Sequence, residues 1–332
     1  MPALAREDEL PALVKMVAKH EGAAAARLAE SWFKNQPQGV LVLRDGDGAA
    51  AGFLFTLNLN GVAPEELQAD AGTRAAWSYL QREAPLRPGE NASLVRFWMA
   101  SDTHQAVSAA QSLIFVNIVR HYLTAPKLAF SFFCCADPDF WTPAFEYADS
   151  PRLHDADFEV GKKSYGMFGH DWRVTPPMVW LELLAEREIA TSAILPTAPP
   201  PAFRVLGERE FSLAVRAALH DFSRPPALSE NALLHSRLVN EIAGIENLRR
   251  IAVLQNLLKE ACETLQAAPQ TEKYYQALFR TYLQPATSQE QTAELLDISF
   301  STFRRHLKEG TERVTEILWQ RELGELGTDE RL

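Results

Sequence analysis

Apolar residues recur at three- and four-residue intervals over positions 7–20 and 23–35, a spacing that gathers them on one side of a helix and predicts two amphipathic helices. The period then shortens to that of strands. Two apolar runs flank Asp45-Gly46-Asp47-Gly48, whose residue types suit a tight turn between paired strands. Helical spacing returns at 64–83, followed by a strand at 92–101, a long helix at 105–123 and a wholly apolar strand at 127–135. A short aromatic helix at 140–147 and strands within 157–172 and at 178–184 complete this half. The order predicts an α+β domain with a mixed, mostly antiparallel sheet over residues 1–191, its core supplied by Leu94, Phe97, Leu113, Val116, Phe130 and Phe132. Residues 192–203 carry Pro196, Pro199, Pro200 and Pro201, which forbid a helix and predict an extended linker. Everything after it has helical spacing: 208–222, 233–246, 249–267, 272–283 and 311–323. A second, all-α domain over 204–332 is expected.

Within that domain, residues 287–310 read as two short helices around a tight turn. Ala293 is the small residue expected where the helices cross, with Leu295 and Leu296 directed to the core. Asp297-Ile298-Ser299 supplies a stop, an apolar anchor and a capping hydroxyl. The second helix buries Phe303 and Leu307 at i,i+4 spacing and turns Arg304, Arg305 and Lys308 outward beside Thr302. Ala293, Leu296, Ile298, Ser299, Thr302, Phe303 and Arg305 resemble the helix-turn-helix of sigma-factor region 4 and related bacterial regulators. The resemblance implies DNA contacts by Thr302, Arg304, Arg305 and Lys308 in a major groove. Asp297 stands where those families usually carry glycine, and aspartate accepts the left-handed backbone that the turn requires.

Charge qualifies that expectation. From residue 204 to 332 there are 16 Lys and Arg against 19 Asp and Glu, and the whole chain carries a formal charge of −10. Phosphate contacts supply most non-specific affinity for DNA, so a dimer or a second protein that brings the domain to DNA is expected. The plainer alternative is a three-helix packing unit whose arginines are merely solvated. The longest apolar run, at 113–119, is far shorter than the roughly 20 residues that span a bilayer. The first residues mix charges with no apolar signal core, so a cytoplasmic protein is expected. Cys134, Cys135 and Cys262 have neither disulfide nor zinc spacing and read as buried thiols. His154, Asp155 and Asp157 are too weak a grouping to assign a metal.

The order of elements over residues 3–188 resembles the GNAT family of acyl-CoA-dependent N-acyltransferases. In that family a strand leads through a [QR]-x-x-G-x-[GA] loop to a helix whose N-terminus holds the cofactor's pyrophosphate on backbone N–H groups. Gln105, Ser108 and Ala110 occupy the corresponding positions, with serine in place of the glycine that admits the phosphates. The resemblance implies acetyl-CoA or another acyl-CoA as cofactor. It also implies that Tyr147, in the aromatic helix, serves as the acid that protonates the leaving thiol, with Tyr122 and Tyr165 in reserve. For the base, Glu90 precedes the central strand and Asp102 follows it. Packing explains the tyrosines as well as catalysis does, and solvated loops explain the acids.

Residues 165–177 concentrate His170, Asp171, Trp172 and Arg173 between glycines and prolines, which suits either a ligand-positioning loop or a hydrogen-bonded turn. No Walker A, G-x-S-x-G or H-E-x-x-H motif occurs. Two functions follow. One is a regulator in which a GNAT-like domain senses or uses an acyl-CoA and a helix-turn-helix contacts DNA. The other is a non-catalytic interaction module that assembles with a protein partner, such as an NTPase, or with further copies of itself.

Overall fold

The computed structural model describes residues 2–189, 204–243, 247–284 and 288–324. These form two units, divided between Pro196 and Thr197. The expected linker, 192–203, and residues 244–246 and 287 lie outside the described residues.

The N-terminal unit runs β1 (Ala3–Leu4), α1 (Leu10–Glu21), α2 (Ala23–Asn35), β2 (Val40–Arg44), β3 (Ala50–Asn58), α3 (Pro64–Ala69), α4 (Ala71–Glu83), β4 (Asn91–Ala100), α5 (Ala109–Thr124), β5 (Leu128–Cys135), α6 (Pro138–Tyr147), β6 (Phe158–Val160), β7 (Lys163–Asp171) and α7 (Pro177–Ile189). The strands make one seven-stranded sheet in the order β1-β2-β3-β4-β5-β7-β6. Every pairing is antiparallel except β4 with β5, which α5 connects as a crossover. One face of the sheet packs on α1, α2 and α4 around Phe33, Phe53, Phe97 and Phe132. The other packs on α5 and α6 around Trp98, Ile114, Ile118, Trp141 and Phe145.

Two irregularities shape the middle of this sheet. Phe55 pairs with Phe97 but Thr56 pairs with Val95, so Arg96 is an extra residue on β4 and turns to the same face as Phe97. There its guanidinium meets the Asp70 carboxylate at 2.8 and 3.1 Å, both side chains fully buried. Asp70 also caps α4 by accepting from Gly72 N–H and takes the Trp32 indole N–H at 3.0 Å. A Cβ at Gly72 would sit 2.9 Å from Arg96 Nε and from the Phe158 ring, so this approach requires glycine. The second irregularity follows the bulge: β4 and β5 pair only from Asn91 to Val95 against Leu128 to Phe133, and beyond that they diverge.

The C-terminal unit contains α8 (Glu208–His220), α9 (Pro225–Leu228), α10 (Arg237–Ala243), α11 (Asn247–Thr264), α12 (Glu272–Leu278), a π-helical segment Phe279–Leu283, α13 (Gln289–Leu295) and α14 (Phe300–Leu323). They enclose one core that includes Phe211, Leu254, Leu258, Phe303, Val314 and Trp319. Among the described residues no helix is long and apolar enough to cross a membrane.

The structure corrects several details of the sequence reading. Residues 178–184, read as a strand, belong to α7. The crossover helix begins at Ala109 rather than 105, because Ser108 caps it by accepting from Gln111 N–H. Leu113 and Val116 are 48% and 64% exposed, while Ile114 and Ile118 take the core positions. Leu295 is also exposed, leaving Ala293 and Leu296 to hold α13 on the core. The helices expected at 300–310 and 311–323 are one continuous helix, α14.

Candidate functional sites

The α13–α14 pair is built as its residues require. Ser288 and Ser299 cap the two helices through side-chain oxygens, and Asp297 between them has φ +52°, the left-handed turn position. Phe303 is fully buried and Leu307 nearly so, which anchors α14 by one face. Arg304, Arg305 and Lys308 are exposed on the other, with Thr302 half-buried at its start and hydrogen-bonded to Ser299 at 2.9 Å. Arg304 and Lys308 line a groove of about 400 Å³ together with Arg216 of α8 and Gln289 of α13. Arg216 is a third cation that sequence reasoning missed, because it lies far from the motif along the chain. Acidic neighbours reduce the edge: Lys308 is 3.9 Å from Glu312, while Glu309 is turned away to accept from the Tyr274 hydroxyl.

In the N-terminal unit, a cavity of about 500 Å³ opens where β4 and β5 end, lined by His104, Gln105, Asp137, Trp141, Lys163 and Ser164 among others. The diverging strands above it are bridged by side chains. Trp98 reaches from β4 to donate its indole N–H to Cys134 O at 2.7 Å. Gln105, buried, donates to Trp98 O at 3.4 Å and accepts from Ala136 N–H at 2.9 Å. Edge-to-face contacts of Trp98 with Phe115 and Trp141 and a tilted contact with Phe133 fix the bridge.

His104, in the lining of the cavity, ends a polar chain whose other members lie behind it. Glu21, at the end of α1, is buried and accepts the Tyr165 hydroxyl at 2.9 Å, and its other oxygen lies 3.3 Å from His104 Nε2. Burial first, and Glu21 next, raise the Tyr165 phenol far above its ordinary value, so it stays protonated and donates. His104 has φ +55° and stacks on His20, whose Nε2 meets Ser101 O at 2.9 Å. His104 is thus oriented by a buried carboxylate at the lining of the cavity. Of these residues only Tyr165 stood out in the sequence, as a reserve acid; Glu21 and His104 lie far from it along the chain.

The remaining residues singled out from sequence do not share this site. Glu90 and Asp102 flank β4 at opposite ends, and ten strand residues separate them by roughly 30 Å. Glu90 pairs with Arg173 at 3.1 Å, while Asp102 is exposed beside Lys19 at 3.8 Å. The Tyr147 hydroxyl donates to Glu188 of α7 at 2.6 Å, and this bond is the main cause that raises its pKa. Tyr122 is pushed up to about 12 by burial, offset in part by Ser131. Ser108 spends its oxygen on the α5 cap, and Ala110 packs against the core. His170 to Arg173 form a hydrogen-bonded turn within the unit: His170 lies between Asp149 O and Thr175 O, Trp172 donates to Ser131, and Arg173 binds Asp171 and Glu90. Burial raises the Cys134 thiol to about 12 and the Cys135 thiol well above its usual value, which keeps both protonated.

No protein-family model matches the chain, and no curated protein matches it in sequence.

Proposed function

We propose that this protein is a regulator that contacts DNA through α13 and α14, with an N-terminal unit of GNAT-like build that senses rather than transforms its ligand. One observation carries the DNA reading: Arg304, Arg305 and Lys308 are exposed on a helix whose opposite face is locked into the core, beyond a tight left-handed turn at Asp297. The GNAT reading is supported by a mixed sheet whose two parallel central strands diverge toward a cavity.

An acyl-CoA does not fit the residues as they stand. The backbone groups that diverging strands offer to an amide-bearing arm are already taken: Trp98 O and Ala136 N–H by Gln105, and Cys134 O by Trp98. At the start of α5, Ser108 binds Gln111 N–H, one of the donors that a phosphate would use. Tyr147, Glu90 and Asp102 do not converge, and we assign no acyl transfer to them. The filled divergence and the slightly acidic C-terminal sequence favour, as a second reading, an interaction module that assembles with a protein partner such as an NTPase or with its own copies.

Binding to a mixed-sequence duplex, measured over a salt series starting near 50 mM, tests the first reading. Replacing Arg304, Arg305 and Lys308 together by alanine should leave the fold intact and lower the log-log salt slope by roughly 3. Phe303→Ala, the contrasting variant, should instead destabilise the unit by about 3–5 kcal/mol. If the triple variant binds as the wild type does, or the wild type does not bind at the lowest salt, the DNA reading fails.

A further inference from the structure

The groove lined by Arg304 and Lys308 extends beyond the α13–α14 pair, because its third cation, Arg216, comes from α8. Arg216 is exposed, but the helix beneath it is firmly held. Phe211, Val215 and Leu219, spaced four apart on α8, are fully buried in the core that α8 shares with α14, and the Phe211 ring lies 5.1 Å from the ring of Trp319 on α14. The backbone that carries Arg216 is therefore fixed relative to the backbone that carries Arg304 and Lys308.

The charge in this groove is one-sided. No aspartate or glutamate lines it. Among the described residues no carboxylate lies within ion-pair distance of Arg216 or Arg304, and neither guanidinium makes a hydrogen bond. Lys308 meets only Glu312, at 3.9 Å and with both side chains exposed, a weak pair that a better-placed anion displaces. Gln289 and Tyr282 add neutral donors, since neither side chain bonds to another described residue. Burial raises the Tyr282 pKa, so its hydroxyl stays protonated. Three cations gathered in one groove repel each other, and they stand together in a sequence region with more acids than bases. An anion with several acceptor oxygens relieves that repulsion, and the planar fork of arginine matches phosphate.

We propose that this groove receives the sugar-phosphate backbone of one DNA strand, with Arg216 holding a phosphate next along the strand from those met by Arg304 and Lys308. The inference rests on the DNA reading and extends it: the protein surface that meets the duplex includes α8, outside the two-helix motif. Because its contact is to phosphate, Arg216 sets how α14 sits on the duplex and not which bases it reads. A backbone phosphate is favoured over a free one because Arg304 and Lys308 belong both to the groove and to the exposed edge of α14, so a duplex that meets that edge borders the groove.

The test uses the full chain and two duplexes of unrelated sequence, with affinities measured over a salt series from about 50 mM upward. Arg216→Ala should keep the wild-type melting midpoint, lower the log-log salt slope by about 0.9 and weaken binding severalfold at the lowest salt, equally on both duplexes. Lys259→Ala, which removes an exposed charge from α11 outside the groove, should change neither slope nor affinity. If Arg216→Ala behaves like Lys259→Ala while the triple variant of Arg304, Arg305 and Lys308 lowers the slope, the inference is overturned and the DNA reading stands. If the wild type binds neither duplex at the lowest salt, both fall. An effect of Arg216→Ala on one duplex alone would make Arg216 a reader of bases and overturn the proposal. Isothermal titration with sodium tripolyphosphate separates the remaining source: saturable binding that Arg216→Ala abolishes without changing DNA affinity would make the groove a site for a free polyphosphate and overturn it as well.

Discussion

Asp70 and Arg96 show how much a single pair of residues can decide. Burial alone would raise the Asp70 pKa, but Arg96, the Gly72 N–H and the Trp32 indole outweigh it and hold the carboxyl below its ordinary value. Arg96 is correspondingly kept charged by Asp70. Removing one charge strands the other in the core, so Asp70→Asn should cost about 3–5 kcal/mol, read by chemical denaturation at neutral pH. The sign of the pH dependence follows from the lowered value. Wild-type stability from this group is complete above the unfolded carboxyl pKa of about 4 and is lost as pH falls through the lower folded value. Asp70→Asn should therefore show a shallower loss of stability below about pH 4, and an identical acid limb would contradict this account. Nothing in the linear sequence pointed to this pair, because the bulge that turns Arg96 inward exists only once β3 and β4 are aligned.

At the scale of elements, α14 is the informative case. Gly310 ended the recognition helix in the sequence reading, yet the helix passes through it. A Cβ there would lie 3.0 Å from Leu278 Cδ1 and 3.2 Å from Tyr274 Cβ, so glycine serves close packing of α14 on α12 rather than termination. Gly310→Val should destabilise the C-terminal unit by about 1–3 kcal/mol, seen as a lower melting midpoint; an unchanged or higher midpoint would show that Leu278 yields. Elements whose period matches their environment were legible: α2, the β2–β3 hairpin, β4, β5 and the α13–α14 turn all lie within a few residues of expectation. Short apolar runs were not. Residues 178–184 have no strand period, only apolar density, and Pro177 at the first helical position decides for helix. In α5, apolar residues surround the axis, so periodicity alone did not tell Ile114 from Leu113 or Val116. The Glu21, Tyr165 and His104 chain comes from three distant elements, and no local pattern announces it.

The whole molecule divides into two units with separate cores, one on the sheet and one among helices α8 to α14. Expressed separately as residues 1–196 and 197–332, each should show a cooperative thermal transition; a fragment without one would mean that its core depends on the other unit. Inside the first unit the sheet is itself composite. Mechanically it is two leaves, β1 to β4 and β5 with β7 and β6, joined along a short seam at Asn91–Val95 and clasped at the free edge by the side chains of Trp98 and Gln105. Opening that edge breaks two hydrogen bonds, Trp98 to Cys134 and Ala136 to Gln105, and the packing of one indole, but no rung between paired strands. Beyond Val95 the two leaves are therefore held to each other by side chains, Trp98 and Gln105, and not by paired backbone.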